Sequence, residues 1–268
     1  MPNSNIQIKA HHQRAIDNLT NEYNNNPDYL GLIIGGSVAK GLARDDSDID
    51  FMIIASEKEY KRRSKEDNFF INRTDLCDYE GGFVDGKVIN LEYLHQVEKK
   101  GNEPSRAAFD GAFVAFSKVV GLYEIIDQIQ AYPKKGREDR MKAFYSMAFI
   151  QNWLMGEATR HQNLYTQTRA ASQLALFSGR LILAHNCILF PYHKWFIQYL
   201  NRCKEKPDGF IENIHSLLKE PNSSNAARLF ESLRDFNDWG VTDLQAFEWF
   251  LDEVELSWMN DSTPLEDL

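Results

Sequence analysis

The stretch that decides the fold runs from Tyr29 to Ile54 and reads YLGLIIGGSVAKGLARDDSDIDFMII. Its first six residues are mostly apolar and lead into the pair Gly35-Gly36, which predicts a buried strand that breaks into a tight turn. Ser37 is a typical N-cap residue, so we expect a short helix over Val38–Leu42. The free backbone N–H groups at such a turn and helix start are suited to binding a phosphate. Gly35, Gly36 and Ser37 are therefore candidate phosphate-binding residues.

A second strand, Asp48–Ile54, follows a polar turn. Because alternate side chains of a strand share a face, Asp48 and Asp50 should project together while Ile49 points to the opposite side. Two carboxylates arranged in this way can hold two divalent cations. Asp45 and Asp46 precede the strand and are expected to be turn residues.

These two motifs resemble those of a known superfamily. Gly35–Ser37 followed by Ser47–Asp50 is similar to the GGS and DxD motifs of the DNA polymerase β-like nucleotidyltransferases. The resemblance implies attack of a substrate hydroxyl on the α-phosphate of ATP or another nucleoside triphosphate, with release of pyrophosphate. It also implies two Mg²⁺ ions, for which Asp48 and Asp50 would be shared ligands.

Such a site needs a third carboxylate, and the segment 77–94 offers two candidates on a third predicted strand. Asp85 and Lys87 would share one strand face, whereas Glu92 alternates equally well with its apolar neighbours. Asp85-Gly86 is also a typical hairpin turn. The residues alone leave both carboxylates open. The stretch GGFVDGK resembles the third-carboxylate strand of a group of uncharacterised bacterial nucleotidyltransferase-domain proteins, and the later segment Glu103–Phe109 is also similar to that group. That resemblance favours Asp85 as catalytic residue and metal ligand, with Lys87 among the nucleotide-binding residues.

Composition limits the possible partners. Asp and Glu number 39 against 30 Lys and Arg, a formal net charge of -9, so no basic field would attract a nucleic-acid backbone. The three cysteines lack metal-ligand spacing and favour reduced thiols in a cytoplasmic protein. No signal sequence opens the chain and no apolar run reaches roughly 18 residues, so a membrane partner is not expected.

A helix is expected from His11 to about Asn25, because Ile16, Leu19 and Tyr23 recur at helical spacing. The adjacent residues His11 and His12 should lie at the mobile end of this helix. Neighbouring helical side chains point in different directions, which argues against joint metal binding.

The character of the chain changes near Pro133. The segment Ala131–Gly136 has the Pro, Gly and charge of a linker. Beyond it, apolar residues at three- and four-residue spacings predict helices over 137–161, 166–189, 192–203, 210–218, 226–239 and 241–259, followed by an acidic tail at Asp261–Leu268. We therefore expect an α/β (α+β) nucleotidyltransferase domain with a small mixed sheet at 1–132, and an all-α domain at 137–268.

One lysine of the helical domain is singled out by a second resemblance. Two-domain aminoglycoside adenylyltransferases place a lysine of that domain against the nucleotide phosphates, and the stretch Pro191–Trp195 is similar to the corresponding corner. Pro191 should start a helix with Lys194 in its first turn. The resemblance thus implies that Lys194 binds the triphosphate.

Together these features predict a metal-dependent nucleotidyltransferase that moves a nucleoside monophosphate, AMP in the leading hypothesis, onto a hydroxyl of a small molecule such as an antibiotic. One alternative is AMP transfer to a protein, as in toxin–antitoxin systems. Another is a non-catalytic nucleotide-binding regulator. Retention of both Asp48 and Asp50 argues against the regulator, because a site without turnover does not need two metal ligands.

Overall fold

The computed structural model describes residues 7–259 of the 268-residue chain. The chain forms two compact units, Met1–Tyr132 and Pro133–Leu268. Within the described residues, all strands lie in the first unit, and the second unit is helical. The predicted fold class, an α/β domain with a small mixed sheet followed by a helical domain, is confirmed.

A five-stranded mixed sheet forms the centre of the first unit. Its strands are β1 (Tyr29–Ile34), β2 (Ile49–Ala55), β3 (Phe70–Arg73), β4 (Val84–Ile89) and β5 (Phe113–Ser117). Their order is β3-β4-β2-β1-β5, with β2 and β4 parallel and the other neighbouring pairs antiparallel. The sequence pattern predicts β1, β2 and a strand within 77–94. It does not predict the four-residue β3 or the edge strand β5, which are too short to carry a strong periodic signal.

Among the described residues, six helices accompany the sheet. They are α1 (Ala10–Asn24), α2 (Gly36–Ala39), α3 (Glu57–Lys65), α4 (Leu91–Lys100), α5 (Glu103–Ala107) and α6 (Leu122–Gln130).

Two apolar cores cover the two faces of the sheet. Ile33 and Ile34 are consecutive in β1 and fall into different cores, because alternate side chains point to opposite faces. One core contains Leu19 of α1, and the other contains Leu122 of α6. Each of these fully buried side chains contributes roughly 1.5–3 kcal/mol to stability. The packing fixes β1 and β2, and hence the turn between them, Asp48 directly before β2 and Asp50 within β2.

The second unit consists of helices α7 (Arg137–Arg160), α8 (Leu164–His185), α9 (Phe196–Arg202), α10 (Phe210–Lys219), α11 (Ser223–Phe236) and α12 (Asp243–Phe250). A 3₁₀ turn, His193–Trp195, directly precedes α9 and contains Lys194. The expected continuous helix over 241–259 is wrong in its second half. Regular helix ends at Phe250, and a π turn and a 3₁₀ turn follow. The side chains of 251–259 are largely exposed, so little packing supports a regular helix there.

The acidic tail Asp261–Leu268 lies outside the described residues. Among the helices that the structure does describe, none is both long enough and apolar enough to cross a membrane.

Candidate active site

The Gly-Gly-Ser turn connects the end of β1 to helix α2. The N–H of Gly35 donates to the carbonyl oxygen of Asp50 at 2.9 Å, which ties the turn to β2. The predicted N-cap at Ser37 is wrong. Gly36, with φ of +64°, already begins the helix, Gly35 is the N-cap, and Ser37 is buried inside the first turn. Because glycine can adopt a positive φ, the chain turns at Gly36 and the helix begins before Ser37.

Gly36 is also in direct contact with a carboxylate. A Cβ atom added at Gly36 would lie 1.7 Å from Oδ2 of Asp50, a distance that no side chain tolerates. The absence of a side chain therefore lets the Asp50 carboxylate lie against the backbone of the turn. This contact couples the two sequence motifs: the glycine turn and the aspartate strand form a single structure.

We predict that Gly36→Ala disables this site. The added methyl group must displace Asp50, and a shift of about 1 Å at a reacting centre costs on the order of a hundredfold in rate. The measurement is nucleotidyl transfer together with the melting temperature. Gly121→Ala is the matched control, because Gly121 has φ of +80° and its added Cβ would meet no atom closer than 3.9 Å. If both variants lose activity equally, backbone strain rather than displacement of Asp50 is responsible.

Three carboxylates come together beside this turn. Asp48 directly precedes β2, Asp50 lies in β2, and Asp85 lies in β4. Asp50 and Asp85 are register partners in the parallel β2–β4 pair, so their side chains share a face. One oxygen from each of the three carboxylates lies within 4.8 Å of the others. Asp48 and Asp50 are half-buried and Asp85 is exposed, so the cluster is open on the side of β4.

The other candidate for the third carboxylate lies elsewhere. Asn90 directly follows β4 and caps α4 by accepting a hydrogen bond from the Tyr93 N–H, which places Glu92 in the first turn of that helix. The Glu92 side chain bonds with Gln96 of the same helix. The expectation that Glu92 alternates on a strand is therefore wrong.

The hairpin alternative for Asp85-Gly86 is wrong as well, because both residues lie inside β4. Gly86 is required by packing. A Cβ atom at this position would lie 2.2 Å from the ring of Phe51 on the neighbouring strand.

The donor set of this carboxylate cluster, Asp48, Asp50 and Asp85, suits a hard divalent cation. Mg²⁺ prefers oxygen ligands and is usually held by one or more carboxylates together with substrate phosphates. Three negative charges within a few ångströms repel one another unless a cation neutralises them. The residues present therefore fit a magnesium site.

Asp85 belongs to a mostly polar strip of exposed side chains that extends along one face of the sheet, across β4 and the edge strand β3. Asn72 of β3 is the register partner of Asp85, and Phe70 is the partner of Lys87. Directly opposed residues share a face, as do residues two apart in a strand, so all four side chains lie on the side of Asp85. All four are exposed, and Phe70 is 71% exposed. Asp85 and Lys87 are predicted from the sequence, whereas Asn72 and Phe70 are not, because β3 carries no clear strand pattern.

Lys194 belongs to the second unit. It is exposed, and its ammonium nitrogen lies 5.1 Å from the centre of the Trp195 ring. Nucleotide binding by Lys194 stays a prediction, with a cation–π contact to its neighbour as the structural alternative.

Comparison with known proteins finds a family match within the first unit. Residues 24–102 match the family model of the nucleotidyltransferase domain, a segment that contains the glycine turn and all three aspartates. A search of curated proteins found no match. Among solved structures, the chain is similar to a nucleotidyltransferase-like protein from Exiguobacterium sibiricum, with 11% identity, a TM-score of 0.47, and coverage of 96% of this chain and 83% of that one. The family match covers less than a third of the chain and leaves the helical unit unassigned. Residues 24–102 thus form a nucleotidyltransferase domain, which confirms the superfamily and the enzyme class predicted from the two motifs.

Proposed function

We propose that this protein transfers AMP from ATP to a hydroxyl group of a small molecule. The observation that carries the proposal is the convergence of Asp48, Asp50 and Asp85 beside the glycine turn of a nucleotidyltransferase domain. The choice of AMP rests on the resemblance to adenylyltransferases. The acceptor is proposed from the open polar strip beyond Asp85.

In the proposed reaction, an oxygen of the acceptor hydroxyl attacks the α-phosphorus of ATP. The bond from that phosphorus to the bridging oxygen breaks, and pyrophosphate leaves with the bonding electron pair. Asp85 is exposed and can approach the acceptor, so it would take the hydroxyl proton as general base. The backbone N–H groups of Gly36 and Ser37 would bind phosphate oxygens, whereas the N–H of Gly35 already donates to the Asp50 carbonyl.

Asp48, Asp50 and Asp85 would hold Mg²⁺, in two ions on the superfamily pattern. Such ions, when bound, stabilise the charge on the entering and leaving oxygens. The protein's own contribution is to keep three carboxylates in one place before substrate arrives, which the β2–β4 register and the contact with Gly36 achieve.

A cytoplasmic location is part of the proposal, because ATP is abundant there and Cys77, Cys187 and Cys203 are all free thiols. The net charge of -9 is compatible with a cationic acceptor such as an aminoglycoside.

The direct test uses nucleoside triphosphates labelled at the α-phosphate, with Mg²⁺ and panels of metabolites, aminoglycosides and proteins as acceptors. We expect label from ATP on a small molecule, with release of pyrophosphate. Label on a polypeptide would instead support the protein-modifying alternative. ATP binding without any transfer in all panels would support a regulator and contradict the proposal.

Phe70 is expected to contact the acceptor. An aromatic ring with 71% exposure beside the proposed base offers a flat apolar surface for a substrate ring. With the acceptor identified, Phe70→Ala should raise the KM for the acceptor roughly tenfold and leave the KM for ATP unchanged. Val120→Ala, which truncates a fully exposed apolar residue of the same unit, is the control. A raised KM for ATP instead would place Phe70 against the nucleotide.

Lys194 is expected to pair with the triphosphate. Loss of a charge-assisted contact should weaken ATP binding roughly ten- to a hundredfold in Lys194→Met, with little change in melting temperature because the side chain is exposed. Titration calorimetry with ATP and Mg²⁺ measures the effect, and the exposed Lys204→Met provides the control. An unchanged Kd for ATP would contradict nucleotide binding by Lys194 and support the cation–π contact with Trp195 as its role.

A further inference from the structure

The polar loop before β2 is held by a residue that the proposed chemistry does not use. The hydroxyl of Tyr79 donates a hydrogen bond to the carbonyl oxygen of Ser47 at 2.7 Å. Ser47 directly precedes Asp48, and the peptide group between them is planar. A fixed Ser47 carbonyl therefore fixes the orientation of the whole peptide group, which includes the Asp48 Cα atom. On the other side of Asp48, the Ile49 N–H donates to the Phe83 carbonyl at 3.0 Å.

The Tyr79 ring packs against two parts of the chain, the start of α1 and Gly82. The rings of His11 and His12, at the start of α1, lie with their centres 4.6 Å and 5.2 Å from that of Tyr79. His12 is fully buried, so the expectation that both histidines lie at a mobile helix end is wrong. A Cβ atom at Gly82 would lie 2.7 Å from the Tyr79 ring, so the ring also packs closely against this glycine. Packing thus determines where the hydroxyl points.

The protonation states of Tyr79 and His12 are consistent with a stable hydrogen bond from Tyr79 to the Ser47 carbonyl. Burial raises the pKa of the Tyr79 hydroxyl, and the neighbouring Asp48 charge acts in the same direction, so the hydroxyl remains a donor at pH 7. Burial lowers the pKa of His12, so its imidazole is neutral.

His11 adds a second tie to the same loop, because its Nε2 lies 3.1 Å from the carbonyl oxygen of Asp45. Lys9 adds a third through an ion pair of 2.6 Å with the Asp45 carboxylate. These two contacts reach the turn at Asp45, whereas the Tyr79 bond reaches Ser47, the residue next to a member of the carboxylate cluster. Among these groups, Tyr79 is therefore the one best placed to affect the position of Asp48.

We propose that Tyr79 is a positioning residue for the carboxylate cluster: through the Ser47 carbonyl it sets the position of Asp48 and thereby the affinity of the cluster for a divalent cation. The inference rests on the proposed function, since it assigns the cluster to metal binding. Residues that orient metal ligands typically contribute about ten- to a hundredfold in metal affinity.

The test compares Tyr79→Phe, which removes only the hydroxyl, with wild type and with Tyr60→Phe. Tyr60 is half-buried in the same unit, packs on Phe69 and lies on α3, so it controls for loss of a tyrosine hydroxyl. Mn²⁺ binding to the nucleotide-free protein is followed by electron paramagnetic resonance of the free ion. The Mg²⁺ dependence of transfer and the melting temperature are measured alongside.

In Tyr79→Phe we expect about tenfold weaker Mn²⁺ binding. The Mg²⁺ concentration for half-maximal rate should rise by a similar factor, while the maximal rate at saturating Mg²⁺ stays within about twofold of wild type. A purely structural role would lower the melting temperature without moving either metal midpoint. Gly82→Ala is a second variant, because its methyl group pushes the Tyr79 ring but keeps the hydroxyl. Gly82→Ala should also weaken Mn²⁺ binding, and it tests the role of Tyr79 even if Tyr79→Phe does not fold.

Two outcomes separate the inference from the proposed function. If wild type binds Mn²⁺, Asp50→Asn does not, and both Tyr79→Phe and Gly82→Ala bind as wild type, then Tyr79 has no positioning role and the proposed function stands. If wild type itself binds no Mn²⁺, the metal site and the inference built on it are both wrong.

Discussion

Asp50→Asn should abolish nucleotidyl transfer while the protein remains folded. The substitution removes one negative charge from the group of three carboxylates and replaces an oxygen donor with an amide. Loss of a metal ligand is expected to cost several kcal/mol of transition-state stabilisation, on the order of a thousandfold or more in rate. The melting temperature should change little, because an amide fits the space beside Gly36 that the carboxylate occupies.

Transfer from α-labelled ATP and a melting curve measure both expectations. The matched control is Asp46→Asn, an identical substitution four residues away in the turn before β2. Asp46 is exposed and pairs with Arg44 at 2.9 Å, outside the carboxylate cluster. Near-normal turnover in Asp50→Asn would contradict metal binding by the cluster. Equal losses in both variants would point to the fold of the loop instead.

The parts of this structure that the sequence predicts are those built from neighbours in the chain. The turn at Gly35-Gly36 and the alternation of Asp48 and Asp50 need only one strand, one turn and a second strand. Each is specified by local pattern, namely an apolar run, a pair of glycines and a period of two. The superfamily resemblance depends on the same short stretch, and the family match to residues 24–102 confirms it.

The parts that the sequence could not predict depend on pairing between distant segments. Phe70 and Asn72 join the face of the cluster only because β3 pairs with β4, and a four-residue strand has almost no periodic signal. Burial of His12 depends on Tyr79, which is far along the chain. Some signals were available, however. Asn90 is a good N-cap followed by apolar residues at helical spacing, which favours a helix at Leu91 and removes Glu92 from the strand.

Gly36 illustrates why a motif can be recognised before its reason is known. Sequence reasoning assigns the glycine to a tight turn, which its φ of +64° supports. The structure adds a second requirement, because the Asp50 carboxylate occupies the space in which a side chain would lie. Two independent constraints on one position explain why the turn and the aspartate pair occur together.

Asp85→Asn should be far more damaging than Glu92→Gln. A carboxylate that both binds metal and accepts the acceptor proton contributes two effects of roughly a hundredfold or more each. Glu92 lies in the first turn of α4 and bonds with Gln96, so its amide variant should keep nearly full activity. Both residues are exposed, and both variants keep the shape of the side chain, so any difference in stability should be small.

Transfer from α-labelled ATP, measured for both variants under the same conditions, compares the two carboxylates directly, and the melting temperature of each variant is the control for folding. If Glu92→Gln is inactive and Asp85→Asn is active, the register of β2 with β4 does not bring the third carboxylate to the reaction. The proposed position of the acceptor along β3 would then be wrong as well, because it is inferred from Asp85.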